Sequence, residues 1–194
     1  EMSYSHDALI KFFGTSSQSM YAINIRDVFR QVDQEIADYG IVPIENSTQG
    51  SVKETIDNLI STDLLISGEI NLKISHCLIS VAKTRESITK IYAHEQSFQQ
   101  CDKWLTKNLP MAKLLPVTSN SAAVKKIKNI KNAAAIGSSN SSKYYGIPVI
   151  NKNINDSSQN STRFIIISKA KTELSGDDKT SLLISLENKT GALS

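Results

Sequence analysis

Three observations predict an α/β fold with a mostly parallel sheet. Short runs rich in Ile, Val and Leu recur along the chain, alternating with stretches whose apolar residues follow helical spacing. Polar turns separate them, as at Glu45-Asn46-Ser47-Thr48-Gln49-Gly50. Towards the C-terminal end, Phe164-Ile165-Ile166-Ile167 has the composition of a buried strand. Strands alternating with helices are the signature of layered α/β proteins.

Each element follows from local pattern. A short helix is predicted over 6–13, entered from Ser3-Tyr4-Ser5. Val28, Phe29, Val32 and Ile36 fall on one helix face and predict a helix over 25–36. Residues 39–44 read as a strand, followed by the polar turn and by a helix carrying Val52, Ile56, Leu59 and Ile60. Ile70, Leu72 and Ile74 alternate with polar residues, so 64–79 reads as extended chain. Strands over 88–93, 114–117 and 133–136 then alternate with helices over 97–105, 122–130 and 138–145. Ser119-Asn120-Ser121 supplies the cap of the second of these helices, and Gly146 suits the position just past the end of the third. Residues 171–179 are charged, include Gly176 and read as a linker. A last strand over 180–186 and a turn at 188–193 are too little to form a domain, so the sequence is expected to be part of a longer protein.

The totals exclude several classes. A net charge of +3 is too weak to argue for a nucleic-acid partner, and the Lys125, Lys126, Lys128, Lys131 cluster reads as a solvated helix face. No apolar run reaches transmembrane length and no signal-peptide core opens the sequence, so no membrane partner and a cytoplasmic location are expected. Cys77 and Cys101 share no metal-binding spacing and read as reduced core thiols. His6 and His76 have no second ligand at useful spacing, so no metal is expected.

The candidate chemistry lies at Asn160-Ser161-Thr162-Arg163-Phe164, where a hydroxyl and a guanidinium stand side by side at the mouth of the apolar strand. Polar groups held by rigid structure are what a site requires. Tyr145-Gly146-Ile147-Pro148-Val149-Ile150 and Asn155-Asp156 precede this block. The segment resembles the signature of prephenate dehydratases, and so does most of the chain. Glu1-Met2-Ser3-Tyr4-Ser5-His6 is similar to the family's opening Gly-Pro-x-Gly-Thr-Phe/Tyr-Ser turn, with Met2 in place of Gly, and the family strand ahead of that turn is absent from the sequence. The stretch from Tyr39 to Gly50 resembles the block Gly-Val-Val-Pro-Ile-Glu-Asn-Ser-x-x-Gly. Ile91-Tyr92-Ala93-His94-Glu95-Gln96, continued by Phe98-Gln99-Gln100-Cys101 and Trp104-Leu105, resembles the Ser-His-Pro-Gln block with departures at Ala93 and Glu95. Ser119-Asn120-Ser121-Ala122-Ala123 resembles Ser-Thr-x-Ala-Ala, with Asn120 in place of Thr. Lys179-Thr180-Ser181 and Gly191-Ala192-Leu193 resemble the start of the ACT regulatory domain.

The resemblance implies two α/β lobes joined by hinge strands, like a type II periplasmic binding protein, with substrate in the cleft between them. The first lobe would hold about 1–73 and 160–172, and the second about 74–159. The catalytic domain would span 1–172, followed by a linker over 173–178 and a truncated ACT domain over 179–194. The implied reaction converts prephenate to phenylpyruvate with loss of water and carbon dioxide, in phenylalanine biosynthesis, without cofactor or metal. Arogenate as substrate, or a non-catalytic two-lobe binder of small molecules, are the alternatives. Thr162 would serve the departing hydroxyl. Arg163 would hold a carboxylate, for which its planar fork is suited, or the geometry of the site. Ser3, Tyr4, Ser5, Asn46, Ser47, His94, Gln96, Gln100, Ser119, Ser121 and Phe164 would contact substrate. Gly191, Ala192 and Leu193 would form part of an effector site. A homodimer or tetramer, phenylalanine as effector and, in many relatives, a fused N-terminal chorismate mutase are further expectations.

Overall fold

The computed structural model describes residues 2–173, 175–182 and 184. The chain opens with helix α1 (Tyr4–Phe13), which stops at Gly14, where φ is 83°. Helix α2 (Ile25–Asp33) is started by the Asn24 side chain, which accepts from the Asp27 N–H at 2.8 Å. This closes one of the donors that a helix start leaves open. Phe29 and Val32 are its buried positions. Strand β1 (Tyr39–Asn46) passes close beneath it. A Cβ on Gly40 would stand 2.6 Å from Val28 Cγ1 and 2.9 Å from Ile167 Cγ1, so only glycine lets helix and strand meet there. Strand β2 (Gly50–Ser51), helix α3 (Lys53–Ile60) and strand β3 (Leu65–Lys73) follow.

The second lobe is built from the next run of elements. These are β4 (Cys77–Ser80), a 3₁₀ turn at Arg85–Ser87, β5 (Lys90–Ala93), α4 (Glu95–Gln100), α5 (Asp102–Asn108), β6 (Lys113–Pro116), α6 (Asn120–Ile127), β7 (Ala133–Gly137), α7 (Ser139–Tyr145) and β8 (Val149–Asn151). Strand β9 (Ser161–Ser168) then returns to the first lobe. Gly146 ends α7 in the left-handed region at φ 66°, as its sequence position predicts.

Two sheets result. The first has the order β2-β1-β9-β3 and the second β6-β5-β7-β4-β8. The expectation of mostly parallel sheets fails. Every pairing in the first sheet is antiparallel. In the second, β5 is parallel to β6 and β7, while β4 runs against both β7 and β8. The cause is connectivity. The chain leaves the first lobe after β3 and returns as β9, which inserts between β1 and β3 running opposite to both. Hydrophobic periodicity reports burial and carries no strand direction.

Two predicted elements are also broken. The extended stretch over 64–79 divides at Ile74-Ser75-His76, where the chain crosses between lobes. The crossing segments are joined by the Ile74 N–H donating to the Asn160 carbonyl at 2.8 Å. The single helix predicted over 97–105 divides at Cys101. Asp156 imposes the break. Its carboxylate accepts from the N–H groups of Lys103 and Trp104 at 3.0 and 3.1 Å, and its own N–H donates to the Gln100 carbonyl at 2.8 Å. One distant residue thereby starts one helix and ends the other.

Val42, Ile165, Ile167, Phe29 and Val32 form the core of the first lobe. The second lobe has a core on each face of its sheet, with Leu78, Ile91 and Ile136 in one and Ile79, Val124 and Ile127 in the other. Burying each such side chain contributes roughly 1.5–3 kcal/mol. The two cysteines are buried free thiols, and burial pushes the Cys101 thiol well up. The lysine cluster is exposed, with Lys126 Nζ 4.9 Å from the centre of the Tyr92 ring. No described helix is long and apolar enough to cross a membrane. Residues 179–182 and 184 carry no regular secondary structure. The rest of the predicted last strand, with Gly191, Ala192 and Leu193, lies outside the described residues.

Candidate active site

A cleft of about 230 Å³ opens where the two lobes meet. Ser3, Tyr4, Asn46, Ile74 and Thr162 line it from the first lobe. From the second come His76, His94, Gln96, Gln100, Thr118, Ser119, Asn120, Ser121 and Ser138. No Asp, Glu, Lys or Arg is among its lining residues. A groove of about 630 Å³ runs along β1 within the first lobe, lined largely by apolar side chains from α1, α2 and 18–22. The smaller cleft is the better candidate because the residues predicted from sequence converge on it from both lobes. Pockets at such junctions are common binding sites.

Thr162 lines it from β9. It faces Asn46 across the β1–β9 ladder, and both side chains are buried. The Asn46 Nδ2 group donates to Thr162 Oγ1 at 2.8 Å, to Asn160 Oδ1 at 3.2 Å and to the Ser161 carbonyl at 3.2 Å. Asn46 Oδ1 accepts from the Thr48 N–H at 3.0 Å and from the Thr48 hydroxyl at 2.6 Å. In the second lobe, His76 Nε2 lies 2.7 Å from Gln100 Oε1 and its Nδ1 lies 2.9 Å from the Tyr4 hydroxyl. Burial holds His76 below its ordinary value of 6.5, and the Gln100 bond only partly opposes this. Burial likewise holds the Tyr4 hydroxyl well above 10, helped by the Asp7 carboxylate, so it stays protonated.

The helix starts around the cleft are set by their caps. Ser119 Oγ accepts from the Ala122 N–H at 3.1 Å and opens α6. Asn120 has a defined task in place of the family's Thr. Its Oδ1 accepts from the His94 N–H at 2.9 Å, and its Nδ2 donates to Ser97 Oγ at 2.7 Å, tying the start of α4 to the start of α6. The N-termini of α1 and α6 both reach the lining through Ser3, Tyr4, Asn120 and Ser121, and helix N-termini favour anions. A neutral cleft rich in hydroxyl and amide donors at helix starts can therefore hold carboxylates without a cationic side chain. Among the described residues no three His, Cys, Asp or Glu side chains cluster as metal ligands.

Four predicted site residues fall elsewhere. Successive strand residues point to opposite faces, so Arg163 turns away from the cleft that Thr162 faces. Its guanidinium pairs with Glu45 at 3.4 Å and Glu69 at 3.6 Å on the other side of the sheet. Phe164 is buried within the first lobe, between its register partners Pro43 and Ile70, and does not reach the cleft. Ser47 Oγ donates to the Gln159 carbonyl at 3.1 Å and accepts from the Ser161 N–H at 3.0 Å, which fixes the turn outside the cleft. Ser5 lines the first-lobe groove. Conversely, His76, Thr48, Asn160, Asn120 and Ser138 were not predicted as site residues. A lone histidine in an alternating stretch gives no signal of a crossing point, although Asn160 lies within the signature block itself.

Residues 1–172 match the family model described as prephenate dehydratase. The bifunctional chorismate mutase/prephenate dehydratase of Stutzerimonas stutzeri is 41% identical over 100% of this chain and 53% of its own length. That of Pseudomonas aeruginosa is 39% identical over the same shares. The chain thus spans about half the length of these curated relatives. Among solved structures, prephenate dehydratase from Arthrobacter aurescens in complex with L-Phe superposes with a TM-score of 0.82 at 26% identity, covering 91% of this chain and 61% of that one. With the two-lobe architecture and the Asn46–Thr162 cleft, these matches establish that the chain belongs to the prephenate dehydratase family.

Proposed function

We propose that this chain carries the catalytic region of an enzyme that converts prephenate to phenylpyruvate, water and carbon dioxide. The observation that carries this reading is the Thr162 hydroxyl held against the Asn46 amide in a cleft lined without charged side chains. Prephenate is a dianion bearing a ring carboxylate and a ring hydroxyl. As the carboxylate leaves as carbon dioxide, its bonding electrons enter the ring and the C–O bond breaks. The departing hydroxide takes up one proton and becomes water. The enzyme needs only to hold the two carboxylates and assist that departure. Thr162 donates to the leaving oxygen, and the donors around Ser3, Ser119, Ser121 and Ser138 receive the carboxylates. His94, Gln96 and Gln100 complete the wall on the second-lobe side. A threonine hydroxyl is a poor acid, so its part is a preorganised hydrogen bond, worth roughly 3–4 kcal/mol in comparable sites.

The placement of Arg163 favours a structural part for it, bracing β9 through Glu45 and Glu69. Lobe closure would exclude water and complete the site. In the full-length protein we further propose a catalytic domain over 1–172, a linker over 173–178 and an ACT domain beginning at 179. Phenylalanine is the proposed effector, supported by the L-Phe complex of the Arthrobacter aurescens protein. A homodimer or tetramer and a cytoplasmic location complete the proposal. Incubating the full-length protein with prephenate and following phenylpyruvate by absorbance tests the activity. Turnover by wild type with a large loss in Thr162→Ala is expected, whereas no turnover on prephenate overturns the reading.

A further inference from the structure

The hydrogen bonds around Thr162 have a direction, and backbone groups fix it. Asn46 cannot be turned end for end, because its Oδ1 faces the Thr48 N–H at 3.0 Å and its Nδ2 faces the Ser161 carbonyl at 3.2 Å. Thr162 Oγ1, 2.8 Å from Nδ2, must therefore accept. The Thr48 hydroxyl, 2.6 Å from Oδ1, must donate, and this uses its only proton. Gln100, 3.3 Å from the Thr48 oxygen, must then present its Nε2 there. That leaves Gln100 Oε1 towards His76 Nε2 at 2.7 Å, so the ring proton belongs on Nε2. Nδ1 of the neutral ring is then an acceptor for the Tyr4 hydroxyl, which stands 2.9 Å from it and shares its proton with the Ser75 carbonyl at 3.1 Å. Among the described residues nothing accepts the proton of Thr162 itself, which is left over at the end of the chain and faces the cleft.

We propose that Thr48 and His76 are positioning residues of this site, members of a one-way relay from Tyr4 to Asn46 that ties Gln100 of the second-lobe wall to Asn46, the residue that leaves the Thr162 hydroxyl proton free to point at the leaving oxygen. This deepens the dehydratase reading and rests on it. The relay crosses between lobes twice, from Tyr4 to His76 and from Gln100 to Thr48. Gln100 and the His76 ring are thus oriented from Asn46 only while the lobes stand together. Neither Thr48 nor His76 donates to the substrate in this scheme. Each acts through Gln100: Thr48 fixes which end of its amide faces the first lobe, and that choice fixes the proton of the His76 ring, while Asn46 itself is held by the Thr48 N–H and the Ser161 carbonyl.

Thr48 is exposed, so Thr48→Val removes one hydroxyl at little risk to folding. In the full-length protein Thr48→Val is expected to lower kcat ~10-fold with KM within about 2-fold of wild type, and Thr48→Ser to restore it. Nitrogen NMR of the His76 ring, read independently of turnover, should show Nε2 protonated and Nδ1 bare at neutral pH. Wild-type kcat in Thr48→Val, a Thr48→Ser variant as slow as Thr48→Val, or a His76 proton on Nδ1 overturns the relay while the dehydratase reading stands. Absence of phenylpyruvate formation by wild type overturns the dehydratase reading instead, and the ring NMR then still decides the direction of the relay.

Discussion

Thr162 and Arg163 are neighbours in the chain and belong to opposite regions of the molecule. The Thr162 face of β9 is buried, uncharged and joined to Asn46, Asn160 and the crossing between lobes. The Arg163 face is half open to solvent and ionic, with Glu45 and Glu69 around the guanidinium. On the first face both ends of the Asn46 amide and the Thr162 oxygen are committed to directed hydrogen bonds, and an unmade bond is costly. On the second the charges are screened, and exposed pairs of this kind contribute ~0–1 kcal/mol each. A contiguous sequence motif can thus serve two unrelated places, one residue lining the cleft and the next bracing the strand that presents it.

The comparison can be broken at several points. Thr162→Ala should lower kcat by ~10²–10³-fold, the size of one lost preorganised donor, in the prephenate assay. Asn46→Asp removes the donor to Thr162 and gives that hydroxyl a carboxylate to bond instead. A loss of ~10–10²-fold in kcat is expected with the near-ultraviolet dichroism unchanged, and wild-type kcat would show that the direction of this bond is irrelevant. Arg163→Gln should change kcat by less than ~3-fold and cost at most about 1 kcal/mol in urea unfolding, with the difference shrinking at high salt. A kcat loss as deep as that of Thr162→Ala would mean that the guanidinium reaches the reacting end.

The smallest effect concerns Asp7, the buried carboxylate of α1. It accepts from Asn140 Nδ2 across the lobes at 2.9 Å. Burial raises its proton affinity above the ordinary 3.8, against the opposing effect of the Asn140 and Ser138 bonds. A raised folded value means that its contribution to stability is full below 3.8 and is lost as pH rises through the folded value. Asp7→Asn should therefore raise the melting temperature by ~2 °C at neutral pH and leave it unchanged near the ordinary carboxylate value. His76 has the opposite sign. With its folded value depressed by burial, its contribution is present above 6.5 and is lost as pH falls through the folded value. Scans of thermal unfolding against pH separate the two groups.

Much of this was legible in the residues. Helices α1, α2, α3, α6 and α7 and most strands follow from spacing and caps, because local pattern and burial agree there. Strand direction was not legible, because period-two burial is the same for either direction in a buried strand such as β9. The split of α4 from α5 was not legible either, since its cause, Asp156, is 52 residues from Trp104. Among the residues that line the cleft, those lying together along one turn, such as Ser3 with Tyr4 and Ser119 with Ser121, were among the predicted ones. His76 was not, because its place in the cleft comes from the meeting of Tyr4 and Gln100 on either side of its ring, and neither neighbour lies near it in the chain. Arg163 was given two parts, a carboxylate or the geometry of the site, and strand alternation, which turns it from the cleft, had not been weighed between them.

The late return of β9 also sets the order in which the molecule can be made. All strands of the second sheet lie between residues 77 and 151 and can pair as soon as that stretch leaves the ribosome. The first sheet must wait, because its strand between β1 and β3 arrives last, and Asn46 meets Thr162 across 116 residues. Closing so long a loop is slow compared with local pairing. Trp104, the single tryptophan, lies in the second lobe and should reach its native emission before the amides of β9 gain protection from exchange in refolding. The cleft between the lobes is therefore expected to come into being after the second sheet, and a nascent chain interrupted before residue 161 is expected to carry a folded second lobe and no such cleft.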